Sequence, residues 1–275
     1  MMKIFVILFF TFSTTINAQT KLLYTQTGSP ERLSRILVNH LEKTTKQTIM
    51  AELAVGGGVA IAVNRFKESS NNLLLVNDAF FIGVIEGLYD IKQFQPISFM
   101  GETPLVITVR SDSKLTCNNL KNDALFYGTP TKGTVGHYTG VVFNRLNPKI
   151  TIVEYKVASN FIVDLLGGRI ETVILHPGSL NDSMRGLVNT GSVEWFGVPS
   201  WKDCLKTNQN ITNNYFIFGH NANLKLNEQI NSFFETEDAQ NFYNREKYKV
   251  VKMDVKTTES YMNKILSNWK SIISN

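Results

Sequence analysis

The sequence has two cysteines in 275 residues, Cys117 and Cys204, and neither lies in a CxxC spacing. Nothing near them suggests a metal site or a catalytic thiol. HExxH, GxSxG and the protein-kinase signatures are missing, as are GxGxxG and GxxxxGKS/T. The four histidines, His40, His137, His176 and His220, have no cysteine or carboxylate cluster beside them in sequence, so no metal or other cofactor is expected. The net charge is +5, but the lysines and arginines are scattered, with no run of five or six. Nucleic acid is therefore not an expected partner. No stretch after residue 18 is long and apolar enough to cross a bilayer.

What is present begins with the first eighteen residues. Met1, Met2 and Lys3 form a short positive start, residues 4–12 a compact apolar run, and residues 13–18 a small polar close ending at Ala18. This is the pattern of a secretory signal peptide. The mature chain is expected to begin near Gln19 and to be soluble in the periplasm. In an oxidising compartment Cys117 and Cys204 can pair, or they can remain apart.

From there, strand and helix patterns alternate. Short apolar runs at residues 21–24, 73–76, 151–155 and 172–175 read as strands of a parallel sheet covered on both faces. Each is followed by a small polar turn and then helical spacing. Residues 99–109, interrupted by Pro104, and residues 215–218 read as long strands able to pass between two domains. Residues 48–54 and 249–255 are also expected as strands. Residues 195–201 and 206–214 read as surface loop with some edge strand, and Thr257 as the cap of a last helix.

Residues 126–146, FYGTPTKGTVGHYTGVVFNRL, carry the clearest functional signal. A strand runs into a Gly/Thr turn, and Thr134 can cap a helix with Val135, Tyr138, Val142 and Leu146 on one face. Such a turn aims backbone N–H groups and hydroxyls at one point, which suits an anion. Similar strand ends occur at residues 25–29, 77–79, 156–159 and 176–179. In open α/β sheets, ligands bind beyond the carboxyl ends of the strands. His137 and His176 are expected to face that cleft.

These motifs resemble the tripartite tricarboxylate transporter substrate receptors, the Bug family. Tyr127, Gly128, Thr129, Gly133, Thr134 and His137 match that family's YGSxGxGSxxH pattern. VEYK at 153–156 is similar to its VPYK, DLLGG at 164–168 to its helix end, and Leu73–Val76 to its TLLL strand. Trp269-Lys270 resembles the family's closing IAKWxKVI. The departures fall on the ligand loops: Thr27-Gly28-Ser29-Pro30 stands for PGG, Gly56-Gly57-Gly58 for NRPGAGG, and Val157-Ala158 for two glycines.

The resemblance implies an α/β, two-lobed periplasmic binding protein of the Venus-flytrap type, each lobe a mainly parallel sheet flanked by helices. Residues 21–103 plus 217–275 would form lobe one and residues 104–216 lobe two. It further implies a monomeric, non-enzymatic receptor that captures a small organic anion, a carboxylate, for inner-membrane permease subunits. The expected ligand groups are Gly28 and Ser29 from lobe one, Asn77 and Asp78 at the cleft border, and Thr129, Thr131, Gly133 and Thr134 from lobe two. Tyr155 and Ser159 would close one side. Two alternatives remain: a sensor or protein-binding receptor of the same fold, and an exported α/β hydrolase.

Overall fold

The computed structural model describes residues 19–57 and 59–274. The expected signal peptide, residues 1–18, lies outside the described residues, as does Gly58.

The first third of the chain builds β1 (Thr20–Tyr24), α1 (Ser29–Thr45), β2 (Ile49–Leu53), α2 (Ala60–Lys67), β3 (Leu73–Val76), α3 (Ala79–Ile85) and β4 (Gln95–Pro104). The middle adds β5 (Val106–Arg110), α4 (Cys117–Asn122), β6 (Leu125–Pro130), α5 (Val135–Leu146), β7 (Ile150–Tyr155), α6 (Ala158–Leu166), β8 (Thr172–Leu175), β9 (Met184–Asn189) and α7 (Trp201–Leu205). The last part forms β10 (Thr212–Gly219), α8 (Leu224–Phe233), α9 (Glu237–Glu246) and α10 (Val255–Ser274).

The strands make two five-stranded sheets, ordered β2-β1-β3-β10-β4 and β7-β6-β8-β5-β9. In the first, β2, β1 and β3 pair in parallel and β10 runs against both β3 and β4. In the second, β7, β6 and β8 are parallel and β5 runs against β8 and β9. Each sheet is therefore mixed, with four strands in one direction and one reversed. Helices flank both, giving two lobes.

Pro104 ends β4 because it has no N–H to continue the ladder. Leu105 then turns the chain from the first sheet into the second. It is pinned there by Thr190, whose hydroxyl accepts from the Leu105 N–H at 3.0 Å and whose N–H donates to the Leu105 carbonyl at 2.9 Å.

One buried apolar cluster runs through both lobes. It joins Leu23, Phe80 and Phe218 of the first to Ile107, Tyr127 and Trp201 of the second by way of Trp269 on α10. A second cluster lies on the other face of the first sheet, and a third under α6.

Three expectations are corrected. Residues 249–255 are not a strand: Lys249 makes one bridge to Glu102 on the edge of β4, and the chain then leaves the sheet. The cap of α10 is Asp254, whose Oδ1 accepts from the Thr257 N–H at 2.7 Å. Trp201, read with residues 195–200 as surface loop and edge strand, instead opens α7, fully buried and with its Nε1 donating to the Gln209 carbonyl at 2.7 Å.

Cys117 and Cys204 form a disulfide that ties α4 to α7, with Cα atoms 5.3 Å apart and a sequence separation of 87. A covalent loop of that length restricts the unfolded chain strongly. Changing both cysteines to serine is expected to cost about 2–5 kcal/mol. Urea unfolding of the oxidised protein and the double variant checks this, and coincident midpoints would refute it.

Candidate functional site

The loop after β1 is built around Gly28, which holds φ 82 and serves as the N-cap of α1 without a side-chain cap. That left-handed conformation is natural to glycine, and open space around it shows that backbone geometry is the requirement. Because Gly28 takes the cap position, Ser29 becomes the first helical residue rather than the cap. Its hydroxyl donates instead to Glu246 Oε2 at 2.5 Å. Glu246 Oε1 accepts from Arg32 Nη2 at 2.7 Å and from Arg245 Nε at 2.9 Å. The Glu246 side chain is only 3% exposed. Burial alone would push its carboxyl up, but the Ser29 hydroxyl and the Arg32 guanidinium outweigh this and hold it below its ordinary value.

Asn77 and Asp78 follow the end of β3, and Asp78 already has helical dihedrals, φ −60 and ψ −15, as the N-cap of α3. Asn77 is buried. Its Oδ1 accepts from the Ala79 N–H at 3.2 Å, and its side chain meets the Tyr215 hydroxyl. Asp78 does not border open space. It is fully buried and accepts from Asn214 Nδ2 at 2.8 Å and from the Trp269 indole. Burial pushes its carboxyl up to about 7.

In the second lobe, Thr129 is buried beside the Tyr127 hydroxyl, which donates to the Gly136 carbonyl at 3.1 Å. Thr131 and Gly133 form the turn, and Gly133 holds φ 85. Thr134 caps α5 as the sequence predicts, accepting from the His137 N–H at 3.2 Å. The N–H groups of Val135 and Gly136, in the same first turn, have no intrahelical acceptor. The His137 ring turns toward β7, with Nδ1 3.0 Å from Glu154 Oε1. Burial holds it below its ordinary value against the pull of Glu154. The Tyr155 hydroxyl donates to Asp164 Oδ2 at 2.8 Å, so it braces α6. Ser159 is exposed in the first turn of α6.

His176 follows β8 and is where the two lobes meet. Its Nε2 lies 3.4 Å from Asn213 Nδ2, and Asn213 Nδ2 also reaches the Tyr215 hydroxyl at 3.2 Å. The ring stacks over Tyr248, with centroids 6.5 Å apart. The residue is half-buried, and its Nδ1 is enclosed. Burial pushes its pKa down to about 4, so it is neutral at physiological pH. Two residues on, Gly178 rests against Glu246: a Cβ there would stand 2.9 Å from Oε2 and 3.1 Å from Cα.

The structure thus brings Ser29, Asn77 and His176 to one place, together with Glu246, Asn213, Tyr215 and Tyr248. The last four were missed in the sequence. Asn213 and Asn214 had a legible signal, two amides inside an otherwise apolar strand. Glu246 had none, because it lies 217 residues from Ser29.

Two cavities lie elsewhere. One of about 330 Å³ sits at the starts of β1, β2 and β3, and one of about 210 Å³ sits beside Arg110 and Gly168. Both are at the amino ends of the parallel strands. Among the described residues no group of His, Cys, Asp and Glu could hold a metal, and no helix is long and apolar enough to cross a membrane. Among the described residues Ser232 and His40 make a serine–histidine contact, at 3.0 Å. That same His40 nitrogen donates to the Gln229 carbonyl at 3.0 Å and so carries a proton, which leaves it unable to act as a base toward Ser232.

No family model matches the chain. It is 26% identical over 159 residues to the UPF0065 protein of the TAR-I ttuE-ttuC' intergenic region of Agrobacterium vitis. That match covers 52% of this chain and 46% of the other, so the chain spans about half the length of this curated relative. A Polaromonas TctC solute-binding protein superposes with a TM-score of 0.71 at 17% identity, over 94% of this chain and 99% of that one. An R. palustris protein with adipate gives 0.79 at 15% identity, over 93% and 96%. MatC from Rhodopseudomonas palustris with bound malate gives 0.76 at 16% identity, over 93% and 98%. The first of these is a solute-binding protein, and the other two hold adipate and malate. In fold along nearly its whole length, and in sequence over about half of it, the chain is similar to the TctC and Bug substrate receptors, as its motifs implied.

Proposed function

We propose that the chain is an exported, non-catalytic receptor of the Bug type. It captures a small organic anion between its lobes and delivers it to a membrane permease. The carrying observation is the meeting of polar strand ends from both sheets at β10, with no reactive set of side chains among them. Lobe one would comprise residues 21–103 and 217–275, and lobe two residues 104–216. The anion's carboxylate takes its hydrogen bonds from the turn of lobe two, where Thr131, Gly133 and the free first-turn N–H groups of α5 stand together. The malate and adipate held by similar proteins support a carboxylate. Export is supported by the pattern of residues 1–18, and the disulfide fits an oxidising compartment.

The test is a thermal-shift screen of residues 19–275 against carboxylates, amino acids and vitamin-like acids, followed by calorimetry on each hit. At least one small carboxylate is expected to raise the melting temperature and to bind in a one-to-one ratio. A panel without a single stabilising compound would sink the reading.

A further inference from the structure

We propose that the part of the interlobe site bounded by His176, Asn213 and Glu246 receives an uncharged group that both donates and accepts a hydrogen bond, a carboxamide above all, and rejects a carboxylate. This rests on the receptor reading and narrows its ligand to an anion with one charged end.

The first observation is a pair of enclosed atoms without partners. Asn213 Nδ2 faces His176 Nε2 at 3.4 Å. An amide nitrogen only donates, so Nε2 accepts. The neutral ring then carries its proton on Nδ1. His176 Nδ1 is enclosed with no hydrogen-bond partner among the described residues, and so is Asn213 Oδ1. Asn213 is only 2% exposed. One buried donor and one buried acceptor therefore stand on adjoining side chains, and buried polar atoms need partners. A carboxamide supplies both, its oxygen to Nδ1–H and its N–H to Oδ1. A carboxylate satisfies the donor but sets a negative oxygen against an acceptor.

The second observation is independent. A carboxylate of the protein already occupies the first turn of α1. Glu246 takes the Ser29 hydroxyl and the guanidiniums of Arg32 and Arg245. Ser29 is thus committed within the protein. Gly178, two residues beyond His176, lies directly against the Glu246 side chain. Glu246 is also the charge that acts on the His176 ring. Both guanidiniums sit on Oε1, so a second carboxylate on the ligand would meet Oε2, the oxygen that faces Gly178 and has only the Ser29 hydroxyl, and like charge there disfavours its ionised form.

Calorimetry on residues 19–275 compares succinate, succinamate and 4-aminobutanoate, and then adipate with adipamate. The amide-ended acid is expected to bind at least about tenfold more tightly than the diacid of equal length, since a site with paired polar groups rejects the wrong partner strongly. Glu246→Gln is expected to raise diacid affinity by about tenfold. His176→Leu is expected to lower that of the amide acid by about tenfold, with little change for the diacid. Diacids that match or exceed the amide acids on the wild-type protein overturn the inference, and that comparison needs no variant to fold. Tighter binding of 4-aminobutanoate than of succinamate overturns the carboxamide assignment. An unchanged diacid affinity in Glu246→Gln also counts against it. If none of these acids binds while other anions of the wider panel do, the inference alone fails; if the whole panel is silent, the receptor reading fails with it.

Discussion

Replacing Trp269 with alanine is expected to cost about 3–5 kcal/mol, the usual range for removing a large buried aromatic. Trp269 is 1% exposed and belongs to the apolar cluster that both lobes share. On one side it meets Tyr138 of α5, with ring centroids 6.4 Å apart. On the other its indole N–H serves Asp78. Nearby on α10 the Ile272 carbonyl accepts from Arg145 Nη1 at 2.8 Å, and the Tyr261 hydroxyl donates to Glu102 Oε2 at 3.0 Å. The helix is therefore fastened to both lobes, and Trp269 is the largest side chain in the fastening. Trp269→Phe keeps most of the apolar contact and loses only the N–H, so about 1–2 kcal/mol is expected for it. Guanidinium unfolding separates the two variants. Equal, small losses in both would show that α10 docks without the indole.

Asp78→Asn should do the opposite and stabilise the protein above neutral pH. Burial raises the Asp78 carboxyl from an ordinary 3.8 to about 7. The folded state therefore holds a proton that the unfolded chain has already released across that window. Stability contributed by this group is full below pH 3.8, falls as pH rises, and is lost above pH 7. A shift of that size corresponds to about 4 kcal/mol. Asparagine is neutral at every pH and can accept from Asn214. The variant is expected to gain about 2–4 kcal/mol over the wild type at pH 8 and almost nothing at pH 3.5. His176, pushed down to about 4, opposes this trend between pH 6.5 and 4, but it is common to both proteins and cancels in the difference. Unfolding free energies of the pair at several pH values check the prediction. A difference that does not change with pH would mean that Asp78 is ionised in the fold.

Much of the fold was legible because short buried strands advertise themselves. Leu73–Val76 and Thr172–Leu175 are strands with the bounds their apolar runs indicated, and Pro104 marks the passage between sheets. The failures share a cause. Residues 249–255 have strand-like composition, but only Lys249 finds an edge to pair with. Trp201 sits in a stretch that reads as surface, yet it joins the large apolar cluster shared by both lobes. Local pattern cannot report such long-range placement. The site divides in the same way. Thr134 is a cap because capping is local, and the sequence predicts it correctly. Asp78 is buried against Asn214, which arrives from 136 residues away, so no local pattern reports it. Ser29 is held by a glutamate from the far end of the chain.

The order of the first sheet carries a consequence for assembly. β10 lies between β3 and β4, so a gap stands in the middle of that sheet until residue 219 has been made. The second sheet draws its five strands from one continuous stretch, and its disulfide closes soon after it, at Cys204. Contacts close in sequence form before distant ones. The second lobe can therefore complete itself as the chain emerges, while the first remains two fragments with exposed inner edges. Its β3 and β4 edges, apolar and unpaired in that interval, are the part of the molecule most open to pairing with the wrong strand. The insertion of a single reversed strand ends that exposure and in the same step joins the two lobes a second time.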